Sequence, residues 1–138
     1  MLGIRDAEHE ETAPQASHLL ISRLTCSLAG KTGIVKIVPG TLAARLYGKD
    51  EVTEQFRCSY GLNPEYREII NQGELRIAGF DPEGEARIVE LSRHRFFIAT
   101  LFLPQLFSTP ILPHPLIIGY MRAALEYQIS MDRENRMK

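Results

Sequence analysis

Charge of either sign is almost cancelled in this sequence, where sixteen Lys and Arg stand against seventeen Asp and Glu for a formal net charge of -1. A nucleic-acid binder carries a basic excess or a clustered basic face. Neither is present, so no nucleic-acid partner is expected. Cysteine is scarce: Cys26 and Cys58 are the two in the chain, and they form neither a disulfide framework nor a Cys-x-x-Cys motif. That usage fits a reducing compartment and a cytoplasmic protein. Long apolar runs are missing as well. "FFIATLFL" and "PLIIGYM" fall well short of the roughly 20 residues that cross a bilayer, and the amino-terminal "MLGIRDAEHEE" has no signal-peptide pattern. No membrane partner is expected.

What is present suits one domain, 1–138, since 138 residues with 44% apolar side chains are enough to build a core. Residues 1–17 are the most polar and read as irregular. "HLLIS" (18–22) and "GIVKIV" (33–38) read as short strands, because aliphatic and β-branched residues cluster between turn formers. "LAARLYG" has helix formers that stop on Gly48. "NPEYREIINQG" carries the fullest helix signature: Asn63 caps, Pro64 suits the first helical position, Tyr66, Ile69 and Ile70 share a face, and Gly73 ends it. "ELRIAG" and "ARIVEL" flank an Asp-Pro and Gly84 turn and read as an antiparallel hairpin. "FFIATLFL" lacks alternation, so it is expected to be buried on both faces. The last helix is expected to start near Pro115, and the tail, 129–138, to fray.

The succession "PGTLAARLYG", "EQFRCSYGLNPEYRE", "AGFDPEGEARIVEL", "RFFIATLFLPQLFSTP" and "PHPLIIGYMRAALEY" resembles, in order and spacing, the C-terminal part of the glutamine amidotransferase domain of CTP synthase. The resemblance runs from about Leu2 to Tyr127. It implies an α/β fold of the class I glutamine amidotransferase type, flavodoxin-like and three-layered, with only the later part of that domain covered. In that family a cysteine on a strand-to-helix elbow, oriented through a His-x-Glu pair, hydrolyses glutamine, and the ammonia passes to a synthase domain that uses ATP and UTP.

The resemblance also locates the departures. The family's strand ends in Phe-His-Pro-Glu-Phe, and the matching residues here are Phe102, Leu103, Pro104, Gln105 and Leu106. Leu103 neither accepts nor donates a proton, and Gln105 has no carboxylate with which to orient an imidazole. The catalytic positions are therefore degenerate, and Leu103 is expected to fill what the family uses as an active-site floor. An elbow nucleophile needs small neighbours on both sides, which neither Cys26 in "RLTCSLAG" nor Cys58 in "QFRCSYG" has. Cys58 is still a candidate reactive thiol, because Arg57 beside it favours a thiolate. In the family's basic run before a tyrosine, Glu54, Arg57 and Tyr60 match and are candidate ligand contacts. Ser59 stands where the family has a second arginine, and a hydroxyl does not replace a charged bidentate donor. Arg57 is expected to pair with Glu54 along the strand or to find a partner elsewhere.

Other constellations carry less. His9 among Glu8, Glu10 and Glu11 lacks metal-ligand spacing and reads as a solvated acidic loop. "GKTG" at 30–33 lacks the phosphate-loop frame, and no cofactor is expected. His114 in "PHPL" reads as a turn and helix-start residue, not as a base. The sequence thus points to an amidotransferase-like domain with a non-catalytic, regulatory, scaffolding or ligand-sensing role. The alternatives are a truncated part of a glutamine-dependent CTP synthase and an enzyme of changed chemistry that uses Cys58. The expected partner is a second copy of the chain or a polypeptide supplying the earlier half of the domain, with a glutamine-like small molecule as the candidate ligand.

Overall fold

A computed structural model describes residues 3–137. The order of elements is β1 (Glu8–His9), β2 (Leu19–Arg23), β3 (Thr32–Ile37), α1 (Leu42–Tyr47), β4 (Glu51–Gln55), β5 (Tyr60–Leu62), α2 (Arg67–Asn71), β6 (Leu75–Phe80), β7 (Ala86–Leu91), β8 (Ile98–Thr100) and α3 (Pro115–Arg136). Single 3-10 turns lie at Pro64–Tyr66 and Pro104–Phe107. A three-stranded sheet runs β1-β2-β5, and a five-stranded one runs β4-β3-β6-β7-β8. Every pairing in the larger sheet is antiparallel, while β1 and β2 pair in parallel.

Alternation along β3 sends Val35 and Ile37 inward and leaves Ile34 and Lys36 outside. On β6 the neighbours Ile77 and Ala78 point to opposite faces and belong to separate cores. The first core joins Val35, Ile37, Phe56 and Phe102 to Ala43 of α1 and Leu116 of α3. The second joins Ile77 and Ala86 to Ile70 of α2, with Leu20 and Leu62 of the small sheet packed against it. The α/β class expected from sequence is therefore built in layers, with α1 and α3 over one face of the larger sheet and α2 and the small sheet over the other.

That sheet curls until its ends meet. Phe56, just past β4, forms an antiparallel bridge with Phe102, just past β8, and their rings stand edge to face at 6.0 Å. Leu103 N–H donates to the Gln55 carbonyl at 3.2 Å across the same junction. The helix starts are equally specific. Thr41 caps α1 by accepting from Ala44 N–H at 3.0 Å, the buried Glu90 carboxylate accepts from Leu42 N–H (3.0 Å) and Ala43 N–H (3.2 Å), and Arg76 closes on Glu90 through Nε at 2.8 Å. Gly48 ends the helix at φ 62°, where a side chain is strained. In the β6–β7 turn, Asp81 accepts from Glu85 N–H at 2.7 Å and pairs with Arg87.

Two expectations change. The helix expected over 63–73 divides into the 3-10 turn and α2, although Asn63 does cap it, accepting from Glu65 N–H at 3.1 Å. "FFIATLFL" is not buried on both faces: β8 spans Ile98–Thr100 at an edge of the sheet, and Phe97 is 38% exposed. Lack of alternation indicates apolar surroundings without saying how many strands lie beside it. "GIVKIV" is a strand as expected, paired with β4 on one side and β6 on the other. The tail from 129 lies within α3, which runs on to Arg136 and is buried only in its first turns, at Leu116 and Gly119.

Gly79 sits at the irregular register between β6 and β7, where an added Cβ would meet Ile88 Cδ1 at 2.9 Å and Val35 Cγ1 at 3.0 Å. Both neighbours are buried in the first core. Gly79→Ala is expected to lower stability by about 1 to 3 kcal/mol through overpacking, read as a lower midpoint in chemical denaturation.

Candidate functional site

On β4 the inward positions are Val52, Glu54 and, beyond the strand, Phe56, so a carboxylate stands where alternation calls for an apolar side chain. Glu54 is 2% exposed. Its Oε1 accepts from the Tyr47 hydroxyl of α1 at 2.6 Å and from His114 Nε2 at 2.9 Å; Oε2 is buried without a hydrogen-bond partner among the described residues. Gly33, opposite Glu54 on β3, leaves room for the neighbouring Phe56 ring, which an added Cβ would meet at 3.2 Å.

His114 precedes α3 and caps it. Its Nδ1 accepts from Leu116 N–H at 3.2 Å, so the ring proton lies on Nε2 and is donated to Glu54. The imidazole is 4% exposed. With both nitrogens engaged, it has neither a free lone pair nor a free proton for acid–base chemistry. Burial, followed by the hydrogen bond to Glu54 and the carboxylate's charge, holds the Tyr47 phenol well above the ordinary tyrosine range. Tyr47, Glu54 and His114 form the inner wall of a cavity of about 490 Å³, with Glu51, Thr53 and Phe107 nearer its mouth.

The remaining candidates do not gather there. Arg57 is exposed and makes no ion pair with Glu54, whose side chain is turned into the interior. Tyr60 lies on β5, where Arg23 Nη2 reaches its hydroxyl at 3.3 Å and the His9 ring stands 5.1 Å away. Ser59 bonds the Ser27 hydroxyl at 2.8 Å. Cys58 is half-buried and Cys26 exposed, both as free thiols. His9 is held by its own loop, its Nδ1 accepting from Glu11 N–H at 3.1 Å. Leu103 is half-buried and Gln105 exposed at the 3-10 turn after β8. Leu103 thus lines the junction with β4 and does not fill a core. Sequence reasoning placed Glu54 among the candidates but missed Tyr47 and the pairing with His114. A charged residue at core parity between Val52 and Phe56 was the available signal.

No family model matches the chain. Relatives do. CTP synthase of Sulfurisphaera tokodaii is 36% identical over 135 residues, which are 90% of this chain and 25% of that protein. CTP synthase of Methanocaldococcus jannaschii is 46% identical over 94 residues, 67% of this chain and 17% of that one. The glutaminase domain of Trypanosoma brucei CTPS, solved with bound acivicin, superposes with a TM-score of 0.84 at 28% identity, covering 91% of this chain and 53% of that chain.

The chain is homologous to part of CTP synthase. Its fold matches part of the glutaminase domain, a class I glutamine amidotransferase, and the chain spans between about a sixth and a quarter of the length of the curated relatives it matches. Among the described residues no helix is long and apolar enough to cross a membrane.

The site makes stability depend on pH. Above about pH 10, the ordinary tyrosine value, an unfolded chain gives up the Tyr47 proton while the folded one keeps it. The Tyr47 contribution is therefore intact below that value and falls as pH rises, by about 1.4 kcal/mol per unit. Denaturation curves on either side of about pH 10 are expected to show a steeper alkaline loss for the wild type than for Tyr47→Phe. Leu103→Ala, at a half-buried position, is expected to cost about 1 to 2 kcal/mol, below the roughly 2 to 5 of a fully buried leucine.

Proposed function

We propose that this chain is a catalytically degenerate glutamine amidotransferase module related to CTP synthase, acting in the cytoplasm as a regulatory, scaffolding or ligand-sensing element. The observation that carries this reading is the strand end at residues 103–105, Leu-Pro-Gln, which offers no titratable side chain where the resembled family has its histidine and glutamate. The nearest buried histidine does not substitute, because both nitrogens of His114 are taken by Leu116 and Glu54. The candidate ligand contacts Glu54, Arg57 and Tyr60 face different surroundings, which argues against a carboxylate clamp for glutamine. Leu103 and Gln105 are read as scaffold positions.

A second reading is that the chain is one part of a glutamine-dependent CTP synthase, with nucleophile and base supplied by another segment or polypeptide. It is favoured by the coverage of 25% and 17% of the relatives' lengths. A coupled ammonia assay separates the possibilities. The chain alone is expected to release no ammonia from glutamine, and Leu103→His combined with Gln105→Glu is expected to restore none, because base, orienter and nucleophile act as a unit. Turnover abolished by Cys58→Ala would establish changed chemistry at that thiol. Turnover that arises only when a polypeptide bearing a cysteine elbow is added would establish the second reading.

A further inference from the structure

Glu54 and Glu90 are both buried, and they are matched differently. Glu90 is 1% exposed and meets the Arg76 guanidinium at 2.6 Å in addition to two helix N–H groups. Glu54 is 2% exposed, and among the described residues no Lys or Arg pairs with it. Its donors are the neutral Tyr47 hydroxyl and a neutral imidazole, since His114 Nδ1 accepts from Leu116 N–H. Both donate to Oε1, so Oε2 accepts nothing. A buried carboxylate with no countercharge and one unmet oxygen is costly.

Glu54 belongs to the wall of the 490 Å³ cavity, a volume within the range of small-molecule sites. Phe107, Leu112 and Pro113 add apolar wall. Lys49 and Glu51 line it too and cancel each other in charge, and Lys49 makes no ion pair among the described residues. A metal ion fits poorly, because hard cations gather about six or more oxygens, and no group of three or more His, Cys, Asp or Glu is placed to hold one among the described residues. An ammonium is a compact point charge that needs only the one oxygen left over.

We propose that this cavity binds a primary alkylammonium group, which donates to Glu54 Oε2 and supplies the charge the buried carboxylate lacks, while its alkyl chain lies against Phe107, Leu112 and Pro113. Tyr47 and His114 hold Oε1, so the carboxylate is fixed in orientation before the ligand arrives, which lowers the cost of binding. The inference goes beyond the loss of catalysis at residues 103–105. It stands whether or not the chain releases ammonia, since binding is read without glutamine.

Butylammonium is titrated into the full chain near about pH 7, where an alkylamine keeps its proton, and followed by backbone amide shifts in nuclear magnetic resonance. Saturable shifts are expected at Thr53, Glu54 and Leu116. The uncharged n-butanol is expected to bind at least about tenfold more weakly. Glu54→Gln keeps an oxygen for Tyr47 and His114 and is expected to raise the butylammonium dissociation constant at least about tenfold. Should that variant not fold, the position of the shifts and the n-butanol comparison decide. Tighter binding of putrescine or of γ-aminobutyrate supports the proposal and assigns Glu51 or Lys49 as a second contact. The control is the acidic cavity of about 470 Å³ at Asp81, Glu83 and Glu85, where Arg87 and Arg67 already face Asp81 and Glu85. Shifts confined to Glu83 and Glu85 would overturn the proposal. So would no saturable shift at all, equal binding of n-butanol, or undiminished binding to folded Glu54→Gln.

Discussion

A single buried carboxylate holds the two helices of one layer to the edge of the sheet. Glu54 projects inward from β4, and its Oε1 gathers a hydroxyl from α1 and an imidazole N–H from the residue that caps α3. Placing an ionised carboxylate in an apolar interior is costly unless donors meet it. The positions of Tyr47 and His114 are therefore tied to each other, and with them the ends of the helices that carry them. The same ring that donates to Glu54 Oε1 accepts the first free N–H of α3, so one imidazole fixes its own tautomer, starts a helix and hydrogen-bonds a buried carboxylate.

Glu90 plays a comparable part at the start of α1, with the difference that its charge is matched by Arg76 and by two backbone N–H groups. Buried carboxylates at the two ends of α1, Glu90 at its first turn and Glu54 beneath Tyr47, seat that six-residue helix more firmly than its length would allow by itself. Around them the sheet curls to its Phe56–Phe102 junction, which brings the turn after β8 alongside β4. In the resembled family this is where the acid–base pair belongs. Here the turn carries Leu103, Pro104 and Gln105, and Glu54 beside it is bonded to Tyr47 and His114.

Much of the fold was legible from local signals. Gly48 after α1, Asn63 and Pro64 before α2, the Asp-Pro and Gly84 turn between β6 and β7, and Pro115 at the start of α3 each act within a few residues, where capping and turn chemistry operate. Order and spacing of motifs were enough to reach the glutaminase fold and the relation to CTP synthase. Periodicity was less informative at "FFIATLFL", because an apolar run has the same appearance in a central strand and in a short edge strand that merges into a junction.

By itself, then, the sequence determined the element types, the family resemblance and the absence of a histidine and a glutamate at 103 and 105, since each of these is a matter of residue identity or of neighbours close along the chain. Only the tertiary structure decided what Glu54 is for. Its partners lie 7 and 60 residues away, and no local rule names the partner of a buried charge; that choice is made when the sheet curls and two helices close over it.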